Sequence, residues 1–323
     1  MLVPADLATL PKAEIHVHLE GTVRPATLEE FSAREGVRIS RGFTDLNSFV
    51  EMYMMTTRVM IRPGDYTRVV REYAEGAARA GVRYAELEIS PALGPRVFES
   101  IYEAAEVASQ QRDVVLRLVL GLGRVEPAEL KQQALDATRD VPGLIALGLG
   151  GPEQGFPAEP FAEVVAEAKR RGLRSAPHAG ENAGPELIRE ALDALQADRI
   201  QHGVRAVEDP ALVAELAERR IPLAVCPTSN VRLGVVRSLE EHPLRRLWDA
   251  GVSVSVNTDD PGFFDCDLLG EYAIAGRLLD LDRAGYAQLA RNSVDGSFAP
   301  EKMKSDLRAA IAEWENDGDE IEA

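Results

Sequence analysis

Basic residues are scarce in this chain of 323 residues. It carries 36 Lys and Arg against 53 Asp and Glu, giving a formal net charge of −17 and a sequence pI of about 4.8. Binding to nucleic acid or to an anionic membrane surface needs clustered Lys and Arg side chains that neutralise phosphates. The charge balance therefore argues against both kinds of partner, and it favours no particular substrate.

Cysteines and long apolar segments are also few. The two cysteines, Cys226 and Cys266, lie far apart and form no CxxC motif. No disulfide framework is readable, and a reducing, cytoplasmic location is the simplest expectation. The amino-terminal MLVPADLATLPKAE has neither a basic start nor a long apolar run, which argues against a signal peptide. No stretch approaches the roughly 18 uninterrupted apolar residues of a membrane-spanning helix.

Short, β-rich apolar segments recur along the chain, with amphipathic segments between them. Eight such segments are predicted strands: Glu14–Leu19, Val82–Ser90, Val114–Leu120, Leu144–Leu149, Arg174–His178, Arg199–Gly203, Leu223–Cys226 and Val252–Thr258. The intervening DPALVAELAERR (209–220) begins with a capping Asp followed by Pro, which is typical of a helix start. Eight alternating β/α units predict a single TIM-like (β/α)8 barrel domain over residues 1–323, with a doubly wound open sheet as the alternative.

The first interval between strands is long enough to hold extra helices. We expect a helical insertion over residues 28–73, within which FTDLNSFVEMYMMTTRVM (43–60) has a Met-rich apolar stripe. That stripe is typical of core packing, but helices above a barrel mouth also form lids, so a substrate-facing role stays open. Residues 301–323 predict a C-terminal amphipathic helix that ends in the acidic DGDEIEA.

Histidine is rare, yet its positions are not scattered. Four of the five histidines fall at predicted strand ends: His16, His18, His178 and His202. In a strand, His16 and His18 would point to the same face because side chains alternate with period two. His242 is the exception, since it falls at a predicted helix start and is expected to be a surface or capping residue.

Polar groups at these strand ends suit metal chemistry, because barrel enzymes work at the carboxyl ends of their strands. Three histidines and a carboxylate from different strands suit a catalytic zinc that keeps one position for water. Glu181, just after the fifth strand, could pass a proton to a substrate. His202 could serve as a base, a water-orienting group or a fourth imidazole ligand. Each residue alone has an ordinary explanation, but their convergence favours a site.

Five motifs together resemble a known family. In order, HVHLEG (16–21), PHAGE (177–181), QHGVR (201–205), CPTSN (226–230) and NTDDP (257–261) are similar to those of the adenosine deaminase family in the amidohydrolase superfamily. The resemblance runs from Leu10 to about Pro300. The HxE and PCxxC pattern of the other zinc deaminases is absent. The expected activity is zinc-dependent hydrolysis of the 6-amino group of a small-molecule 6-aminopurine.

The resemblance implies a ligand set and a mechanism. One zinc ion per chain would be held by His16, His18, His178 and Asp259, of which His18 would also contact substrate and Asp259 would also take part in catalysis. Further roles are implied outside the ligand set. Glu181 would protonate purine N1, and His202 would orient and deprotonate the attacking water. Asp260 would contact N7, and the backbone N–H of Gly151 would reach N3.

Two departures from the family pattern bear on the substrate. Glu20 stands where many adenosine deaminases have an Asp that contacts the ribose 5′-hydroxyl, and GLGGPE (148–153) replaces DLAGDE. Relatives that deaminate adenine or 6-aminodeoxyfutalosine often carry HLEG. We predict deamination of adenosine or a close analogue, with 6-aminodeoxyfutalosine or adenine as the alternative. Another amidohydrolase reaction and a non-enzymatic scaffold are less favoured, and the sequence indicates no oligomeric state.

CPTSN follows the seventh predicted strand but carries no catalytic assignment. We expect Ser229 and Asn230 to shape the loop, and Cys226 to be buried and inert.

Overall fold

Eight parallel strands organise the chain. The computed structural model describes residues 4–39, 42–90 and 95–317. The strands are β1 Lys12–His18, β2 Val82–Ile89, β3 Val115–Gly123, β4 Leu144–Gly150, β5 Arg174–Ala179, β6 Ile200–His202, β7 Leu223–Val225 and β8 Val254–Val256. They form one sheet in chain order, and every neighbouring pair is parallel.

The sheet closes into a barrel at the junction of β8 and β1. Asp259, just after β8, pairs with Val17 in parallel, and the backbone N–H of His18 donates to the carbonyl of Asp259 at 2.8 Å. The predicted TIM-like barrel is confirmed, and the open-sheet alternative is wrong. All eight predicted strands occur in place.

The late strands are shorter than predicted. β6, β7 and β8 have three residues each. Side-chain amides inside the barrel add to the hydrogen bonds there, because Oδ1 of Asn257 accepts from the N–H of Ile15 at 2.8 Å and Nε2 of Gln201 donates to the carbonyl of Ile15 at 3.3 Å. The interior of the barrel is therefore a packed core rather than a channel.

The described residues also contain fifteen α-helices. The first eight are α1 Pro4–Thr9, α2 Pro25–Glu35, α3 Leu46–Thr57, α4 Pro63–Arg79, α5 Pro95–Arg112, α6 Ala128–Ala137, α7 Ala162–Arg170 and α8 Pro185–Ala194. The others are α9 Pro210–Glu218, α10 Pro227–Arg232, α11 Leu244–Asp249, α12 Pro261–Phe264, α13 Leu268–Leu279, α14 Arg283–Asp295 and α15 Glu301–Asn316. Short 3-10 turns occupy Glu20–Thr22, Glu159–Phe161 and Val204–Glu208.

Helix starts follow the sequence signals. Oδ1 of Asp209 accepts from the N–H groups of Ala211 and Leu212 at 3.0 and 3.2 Å, and Pro210 opens α9, as predicted. Asp45 caps α3 in the same way through the N–H of Ser48 at 2.9 Å.

The predicted insertion is present between β1 and β2 as α2, α3 and α4. In the Met-rich α3, Met52 is buried in the core whereas Met54 is 48% exposed. The C-terminal helix is confirmed as α15, and most of the predicted acidic tail (318–323) lies outside the described residues. Within the described ranges, no helix combines the length and apolarity needed to cross a membrane.

Two buried cations lie at the amino-terminal end of the barrel strands. Nζ of Lys12, the first residue of β1, donates to the carbonyls of Leu7, Leu10 and Ala80 at 2.6–2.7 Å. Arg199, just before β6, forms a fully buried ion pair with Glu86 of β2, with Nη2 and Oε2 2.7 Å apart. We call this region the barrel floor.

Candidate active site

The opposite end, the barrel mouth, gathers the predicted site residues. His16 and His18 end β1, His178 lies in β5, and His202 ends β6. Asp259 and Asp260 follow β8. His202 and Asp259 both adopt φ of 62°, in the left-handed region that costs free energy for residues other than glycine. The backbone is therefore strained at two of the positions that carry the chemistry.

Three imidazoles and one carboxylate converge at the mouth. Ligand atoms of His16, His18 and His178 all lie within 4.8 Å of one another. Oδ1 of Asp259 is 3.4 Å from Nε2 of His16 and 3.1 Å from Nε2 of His18. This is the predicted ligand set.

The donor atoms fit a bound cation. Nε2 of His16 and Nε2 of His178 are buried and have no hydrogen-bond partner. Nδ1 of His16 donates to the carbonyl of Ala224 at 3.0 Å, so its Nε2 carries the lone pair. Burial lowers the pKa of His178 to about 4, which keeps this imidazole neutral, as a metal ligand must be. An N₃O set of this kind suits zinc.

The CPTSN motif contacts the site directly, which the sequence analysis missed. Oγ of Ser229 donates to Oδ2 of Asp259 at 2.7 Å, and Nδ2 of Asn230 lies 3.1 Å from Nδ1 of His202. Their predicted role as loop-shaping residues is therefore too narrow. The available signal was the position of the motif after β7, at the edge where the other polar groups meet. Cys226 is buried, and burial raises the pKa of its thiol well above the ordinary value, as expected for an inert cysteine.

Glu181 is held as a buried acid. Burial, and then the charges of Asp259 and Glu153, raise the pKa of Glu181 well above the ordinary value. The carboxylate of Glu153 accepts from the N–H groups of Gly180, Glu181 and Asn182 at 2.9, 3.0 and 3.4 Å, which fixes the loop that carries Glu181. Glu153 lies in the GLGGPE segment and was not singled out from the sequence.

Asp260 is the second buried acid. Burial and the adjacent charge of Asp259 raise the pKa of Asp260 well above the ordinary value, and its Oδ1 is buried without a hydrogen-bond partner. A side chain at Gly21 would collide with this carboxylate. The glycine of HVHLEG therefore makes room for Asp260.

A cavity of about 360 Å³ opens above these groups. The predicted site residues that line it are His18, Gly151, His178, Glu181, His202, Asp259 and Asp260. Gly151 has a φ of 92°, so only glycine adopts this turn without strain. One wall is apolar and comes from α3, with Leu46, Phe49, Val50, Tyr53 and Met54.

Glu20 lies behind this wall. It is fully buried and absent from the cavity lining. Its Oε1 accepts from the N–H of Ser90 at 3.1 Å and its Oε2 accepts from the hydroxyl of Tyr53 at 3.0 Å. Direct contact between Glu20 and a substrate stays a prediction, while the contact with Tyr53 ties the insertion to the HVHLEG motif.

Glu88 of β2 is a cavity residue that the sequence analysis missed. Its carboxylate occupies a niche over Gly121 and Gly148, where an added Cβ would lie within 2.7 Å and 2.5 Å of it. Although burial acts to raise it, the neighbouring His18 and His178 lower the pKa of Glu88 to about 2. The signal for Glu88 was its position near the carboxyl end of β2, where the functional groups of a barrel enzyme meet.

His242 corrects another expectation. It is buried rather than at the surface, with an exposed fraction of 5%. Its Nδ1 accepts from the N–H of Leu244 at 3.0 Å at the start of α11, so the predicted capping role is confirmed. Its Nε2 lies 3.2 Å from Oδ1 of Asn230, and the amide nitrogen of Asn230 in turn contacts His202.

Comparisons with known proteins agree with this geometry. The sequence profile of the adenosine deaminase family matches residues 11–314. An aminodeoxyfutalosine deaminase of Streptomyces avermitilis is 41% identical over 94% of this chain and 91% of its own length. The crystal structure of an adenine deaminase from Arthrobacter aurescens has a TM-score of 0.90 and 32% identity, over 94% of this chain and 98% of that one.

A third comparison concerns the metal. An amidohydrolase from Burkholderia ambifaria, with bound Zn, has a TM-score of 0.86 and 26% identity, over 97% of this chain and 92% of that one. The expected resemblance is confirmed by the profile match and by these relatives. The chain belongs to the adenosine deaminase family of metal-dependent amidohydrolases and is a hydrolytic deaminase.

Proposed function

We propose that the protein is a zinc-dependent deaminase of 6-aminopurines whose preferred substrate is 6-aminodeoxyfutalosine. The observation that carries the proposal is the pair of buried acids, Glu181 and Asp260, in one cavity with the cluster of His16, His18, His178 and Asp259. An ester or amide hydrolase needs no such pair, whereas attack on a purine carbon puts negative charge on ring nitrogens that two acids can neutralise.

His16, His18, His178 and Asp259 are the residues that would hold the metal. When bound, zinc would supply an activated water at neutral pH. The hydrogen bond from Nδ1 of His16 to the carbonyl of Ala224 leaves Nε2 of His16 free to bind the metal. The hydroxyl of Ser229 orients Asp259. These contacts act on ligand orientation and are therefore expected to tighten metal binding.

Glu181 acts as the proton donor to N1. The raised pKa of Glu181 favours its neutral form, and proton transfer from it to N1 makes C6 more electrophilic. Asp260 holds N7 and the N–H of Gly151 reaches N3, so the ring is fixed at three points. His202 orients the attacking water. Loss of ammonia from C6 then leaves a 6-oxopurine.

The choice among 6-aminopurines rests on the relatives and on the apolar wall. The aminodeoxyfutalosine deaminase is 41% identical over 94% of this chain, and adenosine is the named substrate of neither this relative nor the adenine deaminase. Tyr53 and the other α3 side chains offer apolar surface for a substituent beyond the purine. Adenine is the second candidate because an adenine deaminase shares the fold at a TM-score of 0.90.

The test is ammonia release by zinc-loaded protein from 6-aminodeoxyfutalosine, adenine, adenosine and 2′-deoxyadenosine. We expect kcat/KM to be highest for 6-aminodeoxyfutalosine. The Glu181→Gln variant is the control, since it should bind zinc and release no ammonia above background. A preference for adenine would select the second candidate. No release from any member by the zinc-bound protein would contradict deamination of these purines.

A further inference from the structure

A chain of hydrogen bonds runs behind the site from the backbone of α11 to His202. The N–H of Leu244 donates to Nδ1 of His242 at 3.0 Å. Nε2 of His242 lies 3.2 Å from Oδ1 of Asn230, and Nδ2 of Asn230 lies 3.1 Å from Nδ1 of His202. His242, Asn230 and His202 are all buried. Each contact must therefore match one donor with one acceptor.

The direction of this chain follows from its first member, because a backbone N–H can only donate. Nδ1 of His242 therefore accepts, and a neutral imidazole then carries its hydrogen on Nε2. That hydrogen is donated to Oδ1 of Asn230, which leaves the amide NH₂ to donate to Nδ1 of His202. His202 in turn carries its hydrogen on Nε2. Burial lowers the pKa of His242 to about 4, which agrees with a neutral ring that accepts at Nδ1.

The opposite orientation of the Asn230 amide does not match each donor with an acceptor. It would place the NH₂ group against the Nε2 hydrogen of His242 and the amide oxygen against Nδ1 of His202. Two donors would then face each other in a buried space, at a cost of about 1–3 kcal/mol for each group left unpaired. The direction of the chain therefore does not depend on how the amide is assigned.

His16 shows the reverse arrangement at close range. The ring centroids of His16 and His202 are 4.6 Å apart. Nδ1 of His16 donates to the carbonyl of Ala224, so His16 presents a lone pair at Nε2. His202 presents an N–H at Nε2, 3.7 Å from Oε1 of Glu181 and 3.8 Å from Oδ2 of Asp259. One imidazole is set to ligate and the other to donate.

We propose that Asn230 and His242 are positioning residues that hold His202 in its Nε2–H tautomer, so that His202 donates a hydrogen bond to the attacking oxygen. Both a general base and a fourth ligand would need a lone pair at Nε2, so this inference replaces those two expected roles. The proton that the water loses passes to Glu181, which has given its own proton to N1. The proton of the new C6 hydroxyl then leaves with the amino group as ammonia, so the proton count balances. The catalytic role rests on the proposed function, whereas the tautomer does not.

The tautomer can be read directly from long-range ¹H–¹⁵N correlation spectra of zinc-loaded protein with ¹⁵N-labelled histidine. A nitrogen with hydrogen and one without differ widely in ¹⁵N shift, and the His202→Gln and His242→Asn variants assign the signals. We expect the hydrogen of His202 on Nε2 and that of His16 on Nδ1. A His202 signal with the hydrogen on Nδ1 in the parent protein would overturn the proposal, whatever the substrate proves to be.

Two variants of Asn230 separate tautomer control from packing. Asn230→Asp keeps the shape but only accepts, so the hydrogen of His202 should move to Nδ1. Asn230→Ala removes both contacts and leaves the tautomer free. With zinc content unchanged, kcat should fall by about 10²-fold in Asn230→Asp and by less in Asn230→Ala. A purely structural role predicts the opposite order, because aspartate is the isosteric substitution. That opposite order, or an unmoved hydrogen in Asn230→Asp, would refute the assignment.

Discussion

The mouth and the floor of the barrel both bury ionisable groups, but the partners of these groups differ between the two ends. At the floor, Lys12 donates to three carbonyls and Arg199 meets Glu86 at 2.7 Å. At the mouth, Nε2 of His16, Nε2 of His178 and Oδ1 of Asp260 are buried without hydrogen-bond partners. The floor therefore pairs its buried cations with a carboxylate or with carbonyls, although Nε of Arg199 also lacks a hydrogen-bond partner there, whereas the mouth leaves ligand nitrogens and a carboxyl oxygen with no protein partner.

This difference between the two ends assigns stability to the floor and function to the mouth. A buried group without a partner costs free energy unless a ligand supplies one. At the mouth, metal and substrate can supply it, and the left-handed backbone at His202 and Asp259 adds further strain. Substitutions at the mouth should therefore lower turnover with little loss of stability, and substitutions at the floor should do the reverse.

The largest effect should come from Glu181→Gln. The amide keeps the volume but cannot protonate N1, so kcat should fall by about 10³-fold or more. The free energy of unfolding should not decrease, because a buried carboxyl with a raised pKa is itself costly. Steady-state kinetics, metal analysis and urea denaturation check this. Near-normal turnover would remove Glu181 from the mechanism.

At the floor, Glu86→Gln should lower the free energy of unfolding by about 3–5 kcal/mol, because Arg199 would be left as a buried, uncompensated charge. Below the melting temperature, kcat should be unchanged. Replacing the pair together, with Glu86→Leu and Arg199→Met, should recover most of the loss. Equal free energies of unfolding for the parent and for Glu86→Gln in urea denaturation would contradict the contrast between the two ends.

Lys12→Met tests the other floor cation. Methionine fills similar space but leaves the carbonyls of Leu7, Leu10 and Ala80 without their donor, which should cost about 2–3 kcal/mol. Thermal melts and kcat measured on the same sample check this. A drop in kcat without a drop in melting temperature would show that the floor communicates with the mouth.

The smallest effect concerns Glu271 of α13, a fully buried carboxyl outside the cavity lining. Burial raises its pKa from 4.5 to about 7, and its Oε1 has no hydrogen-bond partner. Because the folded-state pKa is the higher one, its contribution to stability is complete below pH 4.5 and is lost as the pH rises through 7. Without a ligand to compensate it, Glu271 should affect only stability.

The measurement is the unfolding free energy of the parent and of Glu271→Gln at pH 5 and pH 8. Relative to the variant, the parent should lose about 2 kcal/mol between the two values. A pH-independent difference would contradict the raised pKa, and a changed kcat would extend the functional region beyond the cavity.

The barrel and most of the site were predictable because their causes are local. Alternating apolar segments and capped amphipathic helices specify β/α units, and polar residues at strand ends must meet at one edge of a parallel barrel. His16, His18, His178, Glu181, His202, Asp259 and Asp260 were all identified in this way, and the structure brings them together.

Residues that act through a second side chain were not predictable by the same reasoning. Ser229 and Asn230 lie in the CPTSN motif, but the sequence does not show which side chains they, Glu153 and His242 contact, because those contacts join positions that are separated along the chain. Glu88 was hidden within a strand, and its carboxylate fits only because glycines on β3 and β4 face it.

The sequence by itself determined which groups could do chemistry and at which end of the barrel they would lie. Both follow from local features, namely the apolar periodicity of each segment and the alternation of strands and helices along the chain. Tertiary structure alone decided which nitrogen of each imidazole is free. That choice is made by the hydrogen bond on the far side of the ring: a carbonyl of β7 behind His16 and an amide after β7 behind His202. Two residues of one type thereby acquire opposite roles at a distance of 4.6 Å.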